Sequence, residues 1–194
     1  MRVISGSARG TTLHSIDEIS TRPTLDRVKE SLFNIIQNQI EDSIVLDLFA
    51  GSGAIGIEFL SRGAQKAYFC DKSQKAVDMI EKNLDKTKLR DKAIIFNTDY
   101  INCISRINST EFDIIFLDPP YKETFSIEAI KKINEKKLLK KGGIIIIETD
   151  EPERDIKEIE KIDIDYKIYD LRKYGRASLI FLKWKGKPWK YLHC

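Results

Sequence analysis

The fold of this chain is decided by the stretch IVLDLFAGSGAIG, which runs from Ile44 to Gly56. Its first half is an apolar run that predicts a strand buried on both faces. The glycines that follow let the backbone turn tightly and approach a ligand closely, and a helical pattern begins after them. The next strand-like run, Lys66–Asp71, ends in an acid 20 residues after Gly51, the spacing of a carboxylate that binds a ribose diol. Together these features predict a nucleoside-binding half of a parallel sheet.

A second motif is the tetrapeptide Asp118-Pro119-Pro120-Tyr121, which follows the apolar run Phe112–Leu117. That run also predicts a buried strand, and the prolines end it because neither can donate to a strand ladder. We expect a stiff turn that presents the Asp118 carboxylate, the Pro119 carbonyl and the Tyr121 ring where open α/β sheets bind ligands. Two acceptors suit an exocyclic amino group, and the ring suits the face of a planar base.

The glycine-rich stretch also matches the dinucleotide fingerprint G-x-G-x-x-G, so a nicotinamide-dependent oxidoreductase is a competing prediction. Asp47 argues against it, because a carboxylate in the strand before the turn suits a cationic group such as the amino group of methionine and repels a pyrophosphate. The Asp-Pro-Pro-Tyr turn, moreover, has no evident role in hydride transfer. These features argue against an oxidoreductase.

These motifs resemble those of a known family. Asp47, Phe49, the glycines of the turn, Asp71 and the Asp-Pro-Pro-Tyr motif are similar to those of class I S-adenosylmethionine-dependent methyltransferases that act on an amino nitrogen. Two N-terminal segments, Arg2–Gly10 and Arg22–Asn34, resemble the 16S rRNA (guanine-N2)-methyltransferase family, the one labelled D. The resemblance covers nearly the whole chain, from Arg2 to about Leu182.

The resemblance implies an α/β, Rossmann-like class I methyltransferase fold. Its seven-stranded, mostly parallel sheet would carry helices on both faces, a C-terminal antiparallel β-hairpin and a small N-terminal extension. It implies S-adenosyl-L-methionine as the cofactor, bound by Asp47, Phe49, Gly51, Gly53, Asp71, Lys72, Thr98 and Asp99. The catalytic residues would be Asp118, Pro119, Pro120 and Tyr121, and RNA would contact Arg2, Arg9, Arg22 and Arg27. Capping a helix is the alternative role for Asp71 and Asp99.

The acceptor implied by the resemblance is the N2 amino group of a guanine in 16S rRNA, within a small ribosomal subunit or an assembly intermediate. An adenine-N6 or a glutamine methyltransferase would share this chemistry, but those families usually carry Asn at the position of Asp118. A non-catalytic RNA-binding module would not need the complete set of cofactor residues.

Composition fits an ordinary globular chain, with 42% hydrophobic and 32% charged residues. We expect one methyltransferase domain over 1–194, with an RNA-facing extension at 1–40, a catalytic core at 41–184 and a basic tail at 185–194. The tryptophans and lysines of that tail suit either RNA contacts or packing. We also expect a cytoplasmic monomer without a membrane span. The scattered cysteines and the isolated His14 and His193 predict no metal site.

Periodicity predicts a small hairpin or hook over 1–15 and alternating helices and strands thereafter. The predicted strands are 44–49, 66–71, 93–97, 112–118, 143–149, 163–170 and 177–184. The predicted helices are 24–39, 54–62, 73–86, 100–107, 126–138 and 153–160.

Overall fold

The computed structural model describes residues 1–15, 23–120 and 124–186, and in the first helix it describes side chains from Arg27 onward. The predictions for Arg22, for Tyr121 and for residues 187–194 of the basic tail lie outside the described residues.

Helices and strands alternate along the described chain. The α-helices are α1 (Pro23–Ile35), α2 (Ala54–Ser61), α3 (Gln74–Thr87), α4 (Tyr100–Arg106), α5 (Phe125–Lys136) and α6 (Pro152–Glu160). The strands are β1 (Ile44–Asp47), β2 (Lys66–Asp71), β3 (Ala93–Asn97), β4 (Phe112–Leu117), β5 (Leu139–Thr149), β6 (Tyr166–Tyr174) and β7 (Ala177–Trp184). Short 3-10 turns cover Gln37–Gln39 and Arg90–Lys92.

All these strands form one sheet in the order β3-β2-β1-β4-β5-β7-β6. Strands β1 to β5 are parallel, and β7 and β6 form an antiparallel hairpin beside β5. The chain places β2 and β3 on one side of β1 and β4 on the other, so the strand order reverses next to β1. Open α/β sheets bind ligands at this point, outside the carboxyl ends of the strands. The predicted mostly parallel sheet with its C-terminal hairpin is confirmed.

Alternate residues of the strands face two apolar cores, one on each face of the sheet. On the first face, residues such as Val45 and Phe116 pack with α1, α2 and α3. On the second face, residues such as Leu46 and Ile115 pack with α4, α5 and α6. The burial of both faces explains why the parallel strands are apolar throughout, and it confirms the prediction of helices on both faces.

The first residues form a hook, closed by a single bridge between Arg2 and Thr12, instead of a regular hairpin. The hook docks on α2 through Glu58, whose carboxylate accepts the N–H groups of Ile4 and Ser5 at 2.8 and 3.0 Å. Lys29 of α1 pairs with the same carboxylate at 2.9 Å. One buried acid thus joins the hook, α1 and α2.

Gly6 allows the hook to approach α2 closely. Its φ is +84°, and a Cβ at this position would lie 1.7 Å from the carbonyl oxygen of Ser61. The backbone conformation and the lack of space both require glycine here. The hook continues to His14, which is exposed.

Three predicted boundaries were wrong. Strand β5 begins at Leu139 because this residue pairs with Phe112 ahead of a register shift, so β5 starts four residues before the predicted strand 143–149. Strand β6 continues to Tyr174, which pairs with Ala177, so most of the predicted connection is strand. Helix α1 ends at Ile35 and gives way to the tighter 3-10 turn.

Among the described residues, no helix is both long enough and apolar enough to cross a membrane.

Candidate active site

A cavity of about 500 Å³ lies at the carboxyl ends of the parallel strands, at the reversal of strand order. It brings together many of the residues that the sequence singled out for cofactor binding and catalysis. These are Phe49, Gly51, Asp71, Lys72, Thr98, Asp99, Asp118, Pro119 and Pro120. We call it the main cavity.

The glycine-rich turn forms one wall of the main cavity. Its first glycine, Gly51, has φ +53°, and a Cβ built there would meet no atom within 4 Å. The Gly51 N–H donates to Asp71 Oδ2 at 2.9 Å, and Asp71 Oδ1 accepts the N–H of Ser73 at 2.9 Å. Asp71 therefore fixes the turn and the start of α3, and its remaining lone pairs are available to ligand hydroxyls at the cavity.

The second and third glycines of the turn serve packing. Gly53 lines neither the main cavity nor the smaller cavity described below. It has φ +77°, and a Cβ there would lie 3.1 Å from the side chain of Ile80 on α3. At Gly56 a Cβ would lie 2.2 Å from the ring of Phe69. These glycines let α2 pack closely on its neighbours, as the third glycine of the dinucleotide fingerprint does.

Asn83 of α3 supports the turn and was missed by the sequence analysis. Its Nδ2 donates to the Ser52 carbonyl at 2.9 Å and to the His14 carbonyl at 3.0 Å. Its Oδ1 accepts the His14 N–H at 2.7 Å. The polar side chain is fully buried and holds both the glycine-rich turn and the end of the hook. A buried amide inside an amphipathic helix pattern is the signal that could have revealed it.

Aromatic rings form the apolar wall of the main cavity. The ring centroids of Phe49 and Tyr100 lie 5.2 Å apart, and those of Tyr100 and Phe125 also lie 5.2 Å apart. This row of rings provides an apolar surface in the same cavity as the Asp71 carboxylate. The arrangement suits a nucleoside, which has a planar base and a polar sugar.

Asp99 lines the main cavity and also caps α4. Its Oδ1 accepts the Asn102 N–H at 2.9 Å, and this backbone bond holds the pKa of Asp99 below its usual value. The helix cap that we left open as an alternative is therefore present. Thr98 and Lys72 line the same end of the cavity.

A second, smaller cavity of about 160 Å³ lies between α1 and the ends of β1, β4 and β5. It adjoins the main cavity, since both are lined by Phe49, Gly51 and Asp118. Asp47 lines this cavity and not the main one, and it is joined there by Glu148 of β5. We call it the acceptor-side cavity, because it lies on the side away from Asp71. Among the described residues, no group of His, Cys, Asp and Glu has the arrangement of a metal site.

The three carboxylates of the acceptor-side cavity are hard to ionise. Burial raises the pKa of Asp47 to about 7, although the Gly56 N–H, which Asp47 accepts at 3.0 Å, partly offsets the shift. Burial raises the pKa of Glu148 to about 7. Burial, and then the negative charges of Glu148 and Asp47, hold the pKa of Asp118 well above its usual value. Perturbed groups gathered in a cleft are typical of a functional site.

Glu148 was also missed by the sequence analysis. It directly follows the apolar run Ile144–Ile147, just as Asp118 directly follows the apolar strand β4. An acid at the carboxyl end of a buried strand is the signal that could have revealed it.

The arginines predicted to contact RNA lie outside both cavities. Arg2 and Arg9 line a separate polar cavity at the hook, together with Glu30 of α1. Arg27 and Glu30 line another, which α1 forms with the turn at Gly175. The two cavities adjoin at Glu30, so the exposed arginines form one surface along the hook and α1.

Comparison with known proteins identifies the family. The sequence model of the family described as "Conserved hypothetical protein 95" matches residues 1–183. The chain belongs to this family. Named relatives confirm the resemblance to methyltransferases inferred from the motifs.

A Bacillus subtilis protein named "Putative rRNA methyltransferase YlbH" is 38% identical over 190 residues, which cover 96% of this chain and 100% of the relative. The Haemophilus influenzae "Ribosomal RNA small subunit methyltransferase D" is 37% identical over 152 residues, covering 77% of this chain and 79% of the relative. A solved structure, "Putative methyltransferase yhhF from Escherichia coli", is 27% identical with a TM-score of 0.79, covering 95% of this chain and 97% of that one.

S-adenosylmethionine is the cofactor of this methyltransferase, and the main cavity fits it. The open space beside Gly51 is a cradle that any side chain would fill, next to the strand-end acid Asp71. The aromatic wall and the Asp71 carboxylate match a base and a ribose diol. Asp47, in the adjoining cavity, suits the cationic amino group of the methionine part.

Proposed function

We propose that this protein transfers the methyl group of S-adenosylmethionine to the exocyclic N2 of a guanine in small-subunit ribosomal RNA. The observation that carries the proposal is the placement of Asp118. It lies where the two cavities meet, and no hydrogen bond to its side chain occurs within the described parts of the chain. An acceptor without a donor at that junction suits the amino group that receives the methyl.

The bound cofactor supplies an already activated methyl group, so the protein need not generate a strong nucleophile. Its residues must hold the amino nitrogen in line with the methyl group, and orientation of this kind can supply roughly 7–11 kcal/mol. Pro119 and Pro120 stiffen the segment that carries Asp118, because their rings fix φ. The acceptor groups are therefore held in place before the substrate arrives.

Asp118 also supplies a charge effect. The lone pair of a guanine amino group is delocalised into the ring, so the nitrogen is a poor nucleophile. If the Asp118 carboxylate and the Pro119 carbonyl accept its two N–H donors, they draw the nitrogen towards tetrahedral geometry. Positive charge then develops on N2, and ionised Asp118 stabilises it more than it stabilises the neutral amino group, which is the differential binding that raises a rate.

Asp at position 118 favours guanine over adenine or glutamine as the acceptor, since families that modify those groups usually carry Asn there. The names of the relatives support ribosomal RNA as the substrate. The exposed surface of Arg2, Arg9 and Arg27 would contact RNA phosphates. Tyr121, outside the described residues, would stack on the target base. A monomer in the cytoplasm and the division into extension, core and tail stay predictions.

The test is methyl transfer from methyl-tritiated S-adenosylmethionine to a panel of acceptors. The panel holds unmodified small-subunit rRNA, small subunits assembled from it, large-subunit rRNA, DNA and protein. We expect label in small-subunit rRNA, and digestion should recover it as N2-methylguanine. Label on adenine, on DNA or on protein would refute the assignment.

A further inference from the structure

Glu148 is a buried carboxylate to which the mechanism above gives no role. Its exposed fraction is 7%, and its side chain lines the acceptor-side cavity. Within residues 1–15, 23–120 and 124–186 it has no hydrogen bond and no ion pair. Lys29 lines the same cavity, but its Nζ is held by Glu58 at 2.9 Å and by the Arg2 carbonyl at 3.1 Å. A buried carboxylate without a protein partner calls for a ligand that donates to it.

The sheet register places Glu148 beside Asp118. Phe116 pairs with Ile146 and Leu117 with Ile147 in the parallel ladder of β4 and β5, so the next residues in each strand are Asp118 and Glu148. Side chains alternate along a strand, and Phe116 and Ile146 face the same core. Asp118 and Glu148 therefore project from the same face, roughly 4.8 Å apart at the backbone.

The strand order separates the cofactor from this pair. Four acids lie near the carboxyl ends of the adjacent strands β2, β1, β4 and β5, on one face of the sheet. Asp71 and Asp47 are the last residues of β2 and β1, Asp118 directly follows β4, and Glu148 is the residue before the last in β5. The ribose carboxylate Asp71 is at one end of this row, so the nucleoside part of the cofactor occupies the β2 side. Glu148 is at the opposite end, beyond Asp118, where the acceptor base must enter.

The Watson–Crick edge of guanine has the donors that this pair lacks. Its N1–H lies directly beside the N2 amino group, whereas adenine presents a bare acceptor nitrogen at N1. We propose that Glu148 accepts the N1–H of the target guanine while Asp118 accepts its N2 amino group, which makes Glu148 the residue that selects guanine. This inference rests on the proposed function and deepens it.

Selection follows from the cost of a mismatch. A base with an acceptor at N1 would turn a lone pair towards a buried carboxylate and leave that carboxylate without a donor. Sites built to hydrogen-bond one substrate group reject analogues that lack it, because the buried polar partner stays unpaired. A flipped base is read in the same way, through its Watson–Crick edge.

The test uses 2-aminopurine, which keeps the 2-amino group but has an acceptor at N1. The methylated guanine is first mapped with the wild-type enzyme. Two small-subunit rRNAs are then prepared by ligation, one with guanine and one with 2-aminopurine at that position. Both are assembled into small subunits if the wild-type enzyme acts only on assembled subunits. We expect the wild-type enzyme to prefer guanine in kcat/KM by roughly tenfold to hundredfold or more, the effect of losing a hydrogen bond to a charged group. Equal rates on the two RNAs would overturn the inference without any variant.

Glu148→Gln isolates the contribution of this residue from that of the missing O6 of 2-aminopurine. The carboxamide of this variant can accept the N1–H of guanine and can equally donate to the N1 acceptor of 2-aminopurine. The preference for guanine in kcat/KM should therefore fall by about tenfold or more relative to the wild type. The control is Glu151→Gln, an exposed acid paired with Arg154, which should leave the preference unchanged.

Two further outcomes would overturn the inference. One is an unchanged preference in a folded Glu148→Gln variant. The other is a loss of S-adenosylmethionine affinity as its main defect, which would assign Glu148 to the cofactor. Failure of the proposed function is a different result, since the wild-type enzyme would then place no methyl group on guanine N2 in either RNA.

Discussion

The two sides of the site hold their carboxylates in opposite ways. On the cofactor side, Asp71 accepts N–H groups from Gly51 and Ser73, and Asp99 accepts that of Asn102. On the acceptor side, Asp118 and Glu148 receive no hydrogen bond from any described residue. Asp47, on the strand between Asp71 and Asp118, is intermediate: it lines the acceptor-side cavity but accepts the Gly56 N–H. The cofactor side is therefore organised by the protein itself, while the acceptor side keeps its hydrogen-bond acceptors for the substrate.

The difference has a cost in stability. Carboxylates that accept backbone N–H groups ionise easily, whereas buried carboxylates without donors resist ionisation. The pKa of Asp99 is accordingly lowered, while that of Glu148 is raised to about 7 and that of Asp118 stands well above its usual value. Functional sites often store such strain, and the predictions below test whether the two sides differ as described.

The largest effect is expected for Asp118→Asn. This change keeps the shape but removes the charge that stabilises the developing cation, so the single-turnover methylation rate should fall by about a hundredfold or more. Affinity for S-adenosylmethionine, measured by calorimetry, should stay within about twofold because Asp71 and Asp47 are intact. A near-normal rate would remove Asp118 from the chemistry. A large loss of affinity for S-adenosylmethionine would show that Asp118 belongs to the cofactor side of the site.

Asp71→Ala should give the complementary result. Loss of charge-assisted bonds to a ribose diol should weaken cofactor binding roughly tenfold to hundredfold, while the rate at saturating cofactor changes little. The control is Asp78→Ala, which removes an exposed acid of α3, the helix that follows Asp71. Unchanged affinity in a folded Asp71→Ala variant would exclude Asp71 from the cofactor site.

Because the buried carboxylate of Glu148 destabilises the folded protein when it is ionised, Glu148→Gln should gain stability relative to the wild type as the pH rises. The folded-state pKa of Glu148 is about 7, whereas its ordinary value is 4.5, so the folded state holds the proton more tightly. Wild-type stability is therefore lost as the pH rises through this window. The amide that replaces the carboxylate in this variant does not titrate. The stability of the variant relative to wild type should therefore increase by roughly 2 kcal/mol between pH 5 and pH 8.

Urea unfolding at both pH values measures this difference. Comparing the same variant at two pH values removes the direct effect of introducing an amide. A pH-independent difference between Glu148→Gln and the wild type would show that Glu148 has an ordinary pKa, and the contrast between the two sides would weaken. The same measurement on Glu151→Gln, at an exposed acid, controls for the replacement of a carboxylate by an amide.

The smallest effects are expected for Arg2, Arg9 and Arg27, the arginines proposed to contact RNA. Replacing Arg2, Arg9 or Arg27 by Gln should each lower the slope of log affinity against log salt by about one, if each contacts one phosphate. The control is Arg90→Gln, an exposed arginine on the turn before β3 that pairs with Glu81. Equal slopes for the wild type and all these variants would assign the arginines to other roles.

The sequence predicted the cofactor side better than the acceptor side. Strand, glycine-rich turn and strand-end acid are close in sequence, so their spacing alone indicates where Gly51 and Asp71 meet. Glu148 is far along the chain from Asp47, and only strand pairing brings the two acids into one cavity. Asn83 was missed for the same reason, since its partners Ser52 and His14 come from distant segments.

Element types were predicted well and some boundaries poorly. Buried parallel strands are continuous apolar runs, which are easy to recognise. The hairpin of β6 and β7 has polar residues along β6, so the segment up to Tyr174 resembled a loop until its pairing with β7 was known. Long-range pairing, which local sequence does not encode, decided that boundary.

The most direct test is the pH dependence of single-turnover methyl transfer at saturating cofactor and RNA. The account requires ionised carboxylates on the acceptor side, where the pKa of Glu148 is about 7 and that of Asp118 is well above its usual value. The wild-type rate should therefore rise as the pH increases from 5.5 to 8, by up to roughly tenfold per pH unit below the controlling pKa. In Asp118→Asn the residual rate should rise less steeply. A wild-type rate that is flat from pH 5.5 to 8 would contradict the account.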